Sequence, residues 1–353
     1  MTLKEKLDIM VDEGWLVSQV HPREDLTIYN YSQKTQYESH WTPDTLMARG
    51  LVLDGMGNII ARPFPKFFNA SEVAEQIPAE PFEVYEKMDG SLGIFFWYNG
   101  NPYVASRGSF TSEQAVRARK MLEKLPYHLL LQNHTYMFEI IYPENRIVVD
   151  YGDAEKVVLL GAIHTPSGAE MPREVLEIRL GDHFELVNRY HFTESWDHLK
   201  SRNEPNMEGY VLRYTNGFRV KVKFEEYVRL HRIITNVSNV DIWETLSSGR
   251  SFTEFLEKVP DEFYEWVRGV ENSLREAHAE ILWDAHELMN RVAAKIGHGA
   301  ERKLWALEME GEKLRPIVFN FLDGNFGRAH AAAWRIVKPK WSKPFFQVRE
   351  AAN

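Results

Sequence analysis

The stretch "FEVYEKMDGSLGIFFWYNG", residues 82–100, ends an alternating apolar run on a lysine and follows it with an acid and a glycine. Because side chains alternate along a strand, Lys87 is expected on the same face as Glu83. Asp89-Gly90 is typical of a tight turn and predicts a hairpin into the next strand. By itself K-x-D-G has a plain structural explanation, a lysine that extends from a strand end beside a turn. The surrounding sequence must decide whether the lysine does more.

The composition is that of an ordinary folded protein. Of 353 residues, 44% are hydrophobic, 13% aromatic and 26% charged, and this length favours one larger and one smaller domain. The absence of cysteine excludes disulfides, thiolate catalysis and cysteine-based zinc sites. The formal net charge of -9 argues against a protein that coats nucleic acid without specificity. Any nucleic-acid-binding surface must therefore be local.

The spacing of apolar residues changes along the chain. Short β-type runs separated by turn dipeptides dominate residues 26–225, with helical stretches near 112–124 and 171–180. In residues 261–296 apolar side chains recur at intervals of three and four, which indicates helix. The sequence therefore predicts an α+β fold in which an antiparallel-sheet domain precedes an all-helical C-terminal domain. The predicted domains are residues 1–240 and 241–353.

A second hairpin is predicted in "EGYVLRYTNGFRVKVKF", residues 208–224. Asn216-Gly217 is a strong signal for a two-residue turn, and such a turn pairs Thr215 with Phe218. The two strands can then be paired residue by residue, back from the turn.

This register sets Leu212 opposite Lys221 and Tyr210 opposite Lys223, with Glu208 on the same face as both lysines. The opposite face is filled by Val220, Val222 and Phe224, as a core-facing set would fill it. One strand pair thus presents a carboxylate and two ammonium groups to one surface. That surface is either a solvated sheet face, whose charge pairs stabilise little, or the wall of a pocket.

A third candidate is Glu139, which lies between Phe138 and Ile140 in the apolar run "YMFEIIYPENRIVV". A buried, unpaired carboxylate would cost several kcal/mol, so Glu139 needs a cation, a metal ion or hydrogen-bond donors. Arg146 is an available partner. Glu139 is therefore either an ordinary paired acid or part of a site.

Together these elements form a pattern along the chain: K-x-D-G at 87–90, "SRGSF" at 106–110, Glu139, Glu208-Gly209 and Lys221-x-Lys223. In this combination the sequence resembles the covalent nucleotidyltransferase superfamily of ATP-dependent ligases and mRNA capping enzymes. Residues 47–232 look most like the bacteriophage RNA ligase 1 family, which seals broken tRNA, through "RGLVLDGMGNIIARPFPKFFN", "KMDGSL", "FEIIYPENRIV" and "KVKFEEYVRLH". The resemblance implies an ATP-grasp-like nucleotidyltransferase domain.

The resemblance also assigns the reactive groups. It implies that Lys87 attacks the α-phosphate of ATP and becomes lysyl-AMP, while Lys221 and Lys223 contact that phosphate as its charge develops. A free lysine side chain has a pKa of about 10.4, so such an enzyme must favour the neutral amine by desolvation and neighbouring positive charge. The strand would then end on a lysine because that lysine reacts.

The acidic residues are assigned to the nucleotide and to metal ions. By resemblance, Asp89, Glu139 and Glu208 organise the ribose and a catalytic Mg²⁺ or Mn²⁺, ions that prefer carboxylate oxygens. Glu86, next to the lysine, is expected to contact the nucleotide. Asp241, at the start of the helical region, is a candidate ligand of a second metal ion.

Upstream cations are assigned to the leaving group. Arg49 and Lys66 match family residues that grip the β and γ phosphates and orient pyrophosphate for in-line displacement. Arg107 stands where the family often has a lysine, which keeps the charge but alters the donor geometry. His231, close to Lys223 in sequence, is a candidate neighbour of the site.

Near the C-terminus basic and aromatic residues alternate, and they either pack in a core or follow a phosphate backbone. These residues are Arg335, Lys338, Lys340, Lys343, Trp334, Trp341 and Phe345. The helical domain is expected to select the RNA substrate.

The implied reaction has three steps. Lys87 takes AMP from ATP, AMP passes to an RNA 5′-phosphate, and an RNA 3′-hydroxyl attacks to release AMP. The expected cofactors are ATP and Mg²⁺ or Mn²⁺, and the expected partner is RNA with such ends, for example a broken tRNA anticodon loop.

Other members of the superfamily are less consistent with the chain. DNA ligases and capping enzymes attach a small β-barrel after the last lysine motif, whereas this chain becomes helical. Two alternatives stay open: a tRNA-splicing type of ligase whose acceptor carries a 2′-phosphate, and a catalytically silent protein that binds RNA ends. No apolar run approaches about 18 residues, so we expect no membrane attachment. We further expect a cytoplasmic monomer, whether cellular or phage-encoded.

Overall fold

The computed structural model describes residues 1–192, 194–235, 237–256, 259 and 263–340. The chain divides into two compact units, residues 1–234 and 235–353. The predicted domain boundary, after residue 240, falls inside the second unit.

The first unit contains three sheets. Its strands are β1 (Leu16–Val20), β2 (Leu26–Tyr31), β3 (Arg49–Asp54), β4 (Ile59–Ala61), β5 (Phe68–Asn69), β6 (Phe82–Glu86), β7 (Ser91–Tyr98), β8 (Asn101–Ser106), β9 (His134–Ile141), β10 (Lys156–His164), β11 (Arg189–Tyr190), β12 (Gly209–Tyr214) and β13 (Arg219–Lys223). The first sheet has the order β1-β2-β3-β4, the second β10-β9-β7-β8 and the third β11-β6-β12-β13-β5. Neighbouring strands are antiparallel except β13 and β5, which are parallel.

Short helices pack on these sheets. They are α1 (Leu3–Asp12), α2 (Gln33–Tyr37), α3 (Pro43–Met47), α4 (Glu113–Leu122), α5 (Arg173–Leu180), α6 (Trp196–Ser201) and α7 (Glu225–Thr235). Helix α4 contacts the second sheet and α6 contacts the third. The helices predicted near 112–124 and 171–180 are confirmed as α4 and α5.

Side-chain alternation explains the third sheet. Val84, Leu212 and Val220 are completely buried in one apolar cluster, together with Phe224. Burying this face removes the apolar side chains from water and leaves the alternate positions of β13 for polar side chains. The predicted core-facing set of the β12–β13 hairpin is therefore confirmed.

The register of that hairpin differs from the predicted one by one residue. The loop contains three residues, because the N–H of Tyr214 donates to the carbonyl oxygen of Phe218 at 2.8 Å. Gly217 closes the loop with a φ of +86°, a left-handed conformation that three-residue hairpin loops require and glycine adopts readily. The observed pairs are Val211 with Lys221 and Gly209 with Lys223, so the predicted pairs Leu212–Lys221 and Tyr210–Lys223 are wrong.

The predicted hairpin at Asp89-Gly90 is also wrong. The strand before this dipeptide, β6, belongs to the third sheet and the strand after it, β7, to the second. A Cβ at Gly90 would lie 2.6 Å from the carbonyl oxygen of Ile140 on β9. The glycine therefore allows the chain to pass closely by β9 as it crosses between two sheets, rather than to turn back.

All regular secondary structure in the described residues of the second unit is helical. Its helices are α8 (Asn239–Ser248), α9 (Phe252–Leu256), α10 (Tyr264–Ile296), α11 (Arg302–Glu308), α12 (Arg315–Leu322) and α13 (Phe326–Ile336). Helix α10 confirms the helix that the three-and-four spacing predicted. Its buried side chains Leu288 and Val292 share a core with Trp305 and Ile317. The predicted α+β class with a helical C-terminal region is confirmed. In the described part of the chain, no helix is both long and apolar enough to cross a bilayer.

Candidate active site

Lys87 follows the end of β6 and lies beside Glu208. Its Nζ donates to Oε2 of Glu208 at 2.8 Å, and Nζ of Lys223 lies 3.1 Å from the other carboxylate oxygen. Glu208 is only 3% exposed. Burial by itself raises the pKa of this carboxyl, but the charges and hydrogen bonds of Lys87 and Lys223 bring it below its ordinary value. We call these three residues the ion triad.

Glu208 reaches both lysines because Gly209 interrupts the strand alternation. Gly209 has a φ of +145°, and a Cβ there would lie 2.0 Å from the carbonyl oxygen of Val222. Glycine alone fits this conformation and this contact. The main chain is also held at this point, since the N–H of Lys87 donates to the Gly209 carbonyl oxygen at 2.9 Å. Of the two β13 lysines expected beside Glu208, Lys223 is found there, and the second lysine in contact with Glu208 is Lys87.

The steric requirement at Gly209 can be measured. We expect Gly209→Ala to lower the free energy of unfolding by about 3 kcal/mol or more, because the new Cβ collides with backbone and the φ is strained. Gly217→Ala is the matched control, since its φ is +86° but nothing lies within 4 Å of its Cβ. It should cost only about 1–2 kcal/mol. Urea unfolding compares the variants, and equal losses would contradict the steric role of Gly209.

Glu139 lies on β9, and its carboxylate accepts the backbone N–H of Gly90 at 3.0 Å. Burial raises the pKa of Glu139 to about 7, and the nearby Glu208 adds to the shift, while the charges of Lys87 and Arg49 offset it only in part. Glu139 therefore changes protonation near neutral pH. It is the second acid at the ion triad.

Arg146 is not the partner of Glu139 that the sequence suggested. Its guanidinium instead donates to Asp150 at 2.9 Å, in a pair whose two side chains are each 52% exposed. The cations whose charges act on Glu139 are instead Lys87 and Arg49, both among the predicted site residues.

Asp89 is only 3% exposed, and protein groups satisfy its carboxylate. Oδ2 accepts the backbone N–H groups of Val148 and Val149, each at 2.8 Å, and Oδ1 accepts the Tyr227 hydroxyl at 2.8 Å. The N–H of Asp89 donates to the Tyr151 hydroxyl at 2.9 Å. A carboxylate with three protein donors has little capacity left for a metal ion or a ribose. We therefore assign Asp89 to positioning the lysine segment, which departs from the role implied by the resemblance.

Two other predicted acids have structural partners. Asp241 caps the N-terminus of α8, where its carboxylate accepts the backbone N–H of Ser238 at 2.8 Å in a capping box. This arrangement gives no support to a second-metal role. Glu86 accepts the side-chain amide of Asn188 at 2.6 Å, and it remains a candidate nucleotide contact beside Lys87.

The remaining candidate metal ligands are Glu139 and Glu208. Within the described ranges, no group of three or more histidines, aspartates and glutamates is placed to hold a metal ion. Mg²⁺ commonly uses one or two protein carboxylates and completes its shell with water and substrate phosphates. Glu208 is buried, Glu139 is partly buried, and the charge of Glu208 raises the pKa of Glu139, an arrangement that fits that mode of binding.

Four cations converge on one phenol. We call Arg49, Lys66, Arg107 and Lys221 the cation cluster. Nη1 of Arg107 donates to the Tyr31 hydroxyl at 3.3 Å, and Nζ of Lys66 lies 5.4 Å from the centre of the Tyr31 ring. Burial by itself raises the pKa of Tyr31, but the four charges together lower it to about 8. The structure thus brings together the cations that the resemblance assigned to phosphates.

Aromatic rings fix the cation cluster in place. Nζ of Lys66 lies 5.3 Å from the ring centre of Trp41 and 5.5 Å from that of Phe68, distances typical of cation–π contacts. Nη1 of Arg49 donates to the carbonyl oxygen of Phe64 at 3.4 Å. Lysine and arginine side chains held in this way lose less conformational entropy when an anion binds.

A cavity of about 370 Å³ opens beside the lysine segment, lined by Asp89, Gly90, Tyr142, Asn145 and Tyr151 among others. Its size suits a small ligand or a single nucleotide-sized group. The cavity borders the chain directly after Lys87, at Asp89 and Gly90.

The weaker candidates lie in supporting positions. The centre of the His231 ring is 5.6 Å from that of Tyr227, whose hydroxyl donates to Asp89. His231 therefore neighbours a residue that supports the site. Trp334 stacks on the buried His278 at 4.2 Å, as a core side chain would. Trp341, Lys343 and Phe345 lie outside the described residues.

Sequence reasoning missed the phenols that support the site. Tyr227 and Tyr151 hold Asp89, and Tyr31 stands inside the cation cluster. Tyr227 lies in "KVKFEEYVRLH", so the resemblance could have drawn attention to it. Tyr31 ends the alternating run "LTIYNY", which carries no signal beyond that of a strand.

Comparison with known proteins gives a consistent result. A family model described as RNA ligase matches residues 47–228, just over half of the chain. The chain is 25% identical over 267 residues to a bifunctional polynucleotide kinase/RNA ligase of Autographa californica nuclear polyhedrosis virus, an alignment that covers 67% of this chain and only 38% of the viral protein. It is 21% identical over 413 positions to an RNA ligase of Rhodothermus phage RM378, covering 92% of this chain and 91% of that one. An archaeal ATP-dependent RNA ligase superposes with a TM-score of 0.49 at 15% identity, covering 74% of this chain and 70% of that one.

Proposed function

The chain belongs to the RNA ligase family, and from this premise we propose that it is an ATP-dependent enzyme that joins RNA ends. The observation that carries the proposal is the ion triad, in which Nζ of Lys87 lies 2.8 Å from a buried Glu208 that Lys223 also contacts. Buried ion pairs rarely stabilise a fold more than apolar side chains of similar volume would. Chemistry explains the triad better than stability does.

The first step is attack by Nζ of Lys87 on the α-phosphate of ATP. A nitrogen–phosphorus bond forms, the bond to pyrophosphate breaks, and the amine gives up its proton to solvent. Lys87 is paired with Glu208, so it must leave this carboxylate before it reacts. Lys223, already 3.1 Å from Glu208, keeps the buried acid compensated when Lys87 moves.

The cation cluster receives the rest of the triphosphate. Arg49, Lys66 and Arg107 bind the β and γ phosphates and hold pyrophosphate opposite the attacking amine. Lys221 and Lys223 occupy alternate positions of β13, so one strand connects the cation cluster with the ion triad. Charge that develops on the α-phosphate is stabilised between the two.

Glu139 and Glu208 are the residues that would hold Mg²⁺ or Mn²⁺. Glu208 is buried and Glu139 is partly buried, and the charge of Glu208 helps to raise the pKa of Glu139, a repulsion that a divalent cation relieves. When bound, the ion would neutralise phosphate charge and polarise the α-phosphate.

Two further steps complete the reaction. AMP passes from Lys87 to an RNA 5′-phosphate, and an RNA 3′-hydroxyl then attacks this phosphate to form the phosphodiester and release AMP. We propose single-stranded RNA ends, such as those of a broken tRNA anticodon loop, as the substrate, with the helical second unit selecting among them. The enzyme would act as a cytoplasmic monomer.

The experiment that tests this function uses a short RNA with a labelled 5′-phosphate and a 3′-hydroxyl, incubated with the protein, Mg²⁺ and ATP or GTP. We expect circular or joined RNA with ATP only. Joining that occurs only when the acceptor also carries a 2′-phosphate would support a splicing type of ligase. No joined RNA and no RNA-adenylate from either acceptor would support a silent end-binding protein.

The raised pKa of the partly buried Glu139 leads to a prediction about pH. Its pKa in the folded protein, about 7, exceeds the ordinary value of 4.5, so its contribution to stability is present below pH 4.5 and is lost as pH rises through 7. Glu139→Gln removes the charge and keeps an acceptor for Gly90. We expect the variant to be more stable than wild type by about 1–3 kcal/mol at pH 8.5 and by much less at pH 5. Thermal unfolding at both pH values measures this, and an equal difference at both would contradict it.

A further inference from the structure

Tyr31 lies in a position that the proposed chemistry does not explain. It ends β2, is 5% exposed, and precedes the residues 47–228 that match the family model. The Trp41 ring packs edge-on against it with ring centres 5.2 Å apart. Its hydroxyl faces the cation cluster rather than the apolar core.

Charged groups reach this phenol from four separate segments. Arg49 comes from β3, Arg107 follows β8, Lys66 precedes β5 and Lys221 lies on β13. Glu139 also acts on the cluster, through Arg49. Four cations this close repel one another unless anionic charge lies among them.

We propose that the Tyr31 hydroxyl is a titratable counter-charge of the cation cluster: in mildly alkaline solution it loses its proton while no polyphosphate is bound, and it regains one when polyphosphate enters. This inference rests on the proposed function, because it takes the cation cluster to be the polyphosphate site. It makes Tyr31 a positioning residue, one that acts on the phosphates through the cations.

The proton balance follows from the charges. Above the pKa of Tyr31 and without a bound anion, the cations stabilise the phenolate, and the proton goes to solvent. A bound polyphosphate supplies its own negative charge to the same cations, so the phenolate is no longer favoured and the hydroxyl takes a proton back. Binding of polyphosphate is therefore coupled to proton uptake, and linkage requires the affinity to fall as pH rises above the pKa of free Tyr31.

The first test measures the phenol directly in the full-length wild-type protein. Ultraviolet absorbance of ionised tyrosine is followed from pH 7 to 9, with and without inorganic tripolyphosphate. The pKa of Tyr31, about 8, predicts that this phenol ionises within the range and that tripolyphosphate moves its ionisation to higher pH. Absence of such a step, or a step that tripolyphosphate does not move, would overturn the proposal. This measurement needs no variant.

The second test compares Tyr31→Phe with wild type. Tyr31→Phe keeps the ring that packs on Trp41 and Lys66 and removes only the hydroxyl. With a Tyr31 pKa of about 8, wild type should bind tripolyphosphate about tenfold more weakly than the variant at pH 9, but within about twofold of it at pH 7. The same ratio of dissociation constants at both pH values would overturn the proposal.

Tyr103→Phe is the matched control. Its hydroxyl donates to Glu24 at 2.7 Å, and burial, with this hydrogen bond, raises the pKa of Tyr103 to about 12. The control should titrate and bind as wild type does from pH 7 to 9. Transfer of labelled AMP from ATP is measured on the same preparations. Failure of that transfer with pH-coupled tripolyphosphate binding intact would contradict the proposed function and leave the role of Tyr31 standing.

Discussion

Lys87→Ala is expected to abolish the transfer of AMP from ATP to the protein. Removing a catalytic nucleophile usually costs several orders of magnitude, and we expect at least about a 10⁴-fold loss. The variant keeps Glu208 paired with Lys223, so the remaining carboxylate is still compensated and the fold should survive. The measurement is acid-stable label on the denatured chain after incubation with Mg²⁺ and α-phosphate-labelled ATP. Labelled GTP serves as the nucleotide control.

Two controls sharpen this result. Wild-type protein is first treated with pyrophosphate to remove any AMP already attached, since a fully adenylated preparation would accept no label. Lys87→Arg preserves the charge beside Glu208, but a guanidinium cannot become the neutral nucleophile, so this variant should be equally unlabelled. Lys87→Ala should nevertheless join an RNA that already carries 5′-AMP. Label retained by Lys87→Ala would exclude Lys87 as the acceptor.

The second large effect is expected from Glu208→Ala. This change leaves Lys87 and Lys223 without the buried carboxylate that they share, and removing one partner of a buried ion pair typically costs about 3–5 kcal/mol. It also removes a candidate metal ligand, so labelling by ATP should be lost. Urea unfolding measures the stability, and the labelling assay measures the activity.

Glu185→Ala is the control for an ordinary ion pair. Glu185 lies 2.6 Å from Nζ of Lys156, but its side chain is 52% exposed. Exposed pairs contribute about 0–1 kcal/mol, so this substitution should change stability little. If the two glutamate substitutions had similar costs, Glu208 would be no more than a surface partner.

Local spacing in the sequence was enough to predict the main features. Apolar alternation predicted the strands and the buried face of the third sheet, and the three-and-four spacing predicted the long helix α10. The order of K-x-D-G, Glu139, Glu208 and the two β13 lysines identified residues that the structure brings within contact or electrostatic range. These features depend on residue type and short-range periodicity.

What could not be predicted depends on contacts between distant segments. The hairpin register follows from a three-residue loop with Gly217 in the left-handed region, whereas Asn-Gly alone is typical of a two-residue loop. The positioning role of Asp89 depends on backbone N–H groups of Val148 and Val149, about sixty residues away along the chain. In the sequence Tyr31 has only the features of a strand residue, because the four cations that surround it come from distant segments.

The crossing between the second and third sheets limits where the chain can be circularly permuted or can accept an inserted domain. Only residues 87–90 connect β6 with β7, and Asp89 is fastened by three hydrogen bonds from other segments. A connection this short spans at most about 14 Å when fully extended. Circular permutation or insertion of a reporter domain here would displace the reactive lysine itself. The Asn99-Gly100 turn at the other end of β7 is exposed, and nothing lies within 4 Å of a Cβ built at Gly100. We expect this turn to accommodate a new terminus or a fused domain.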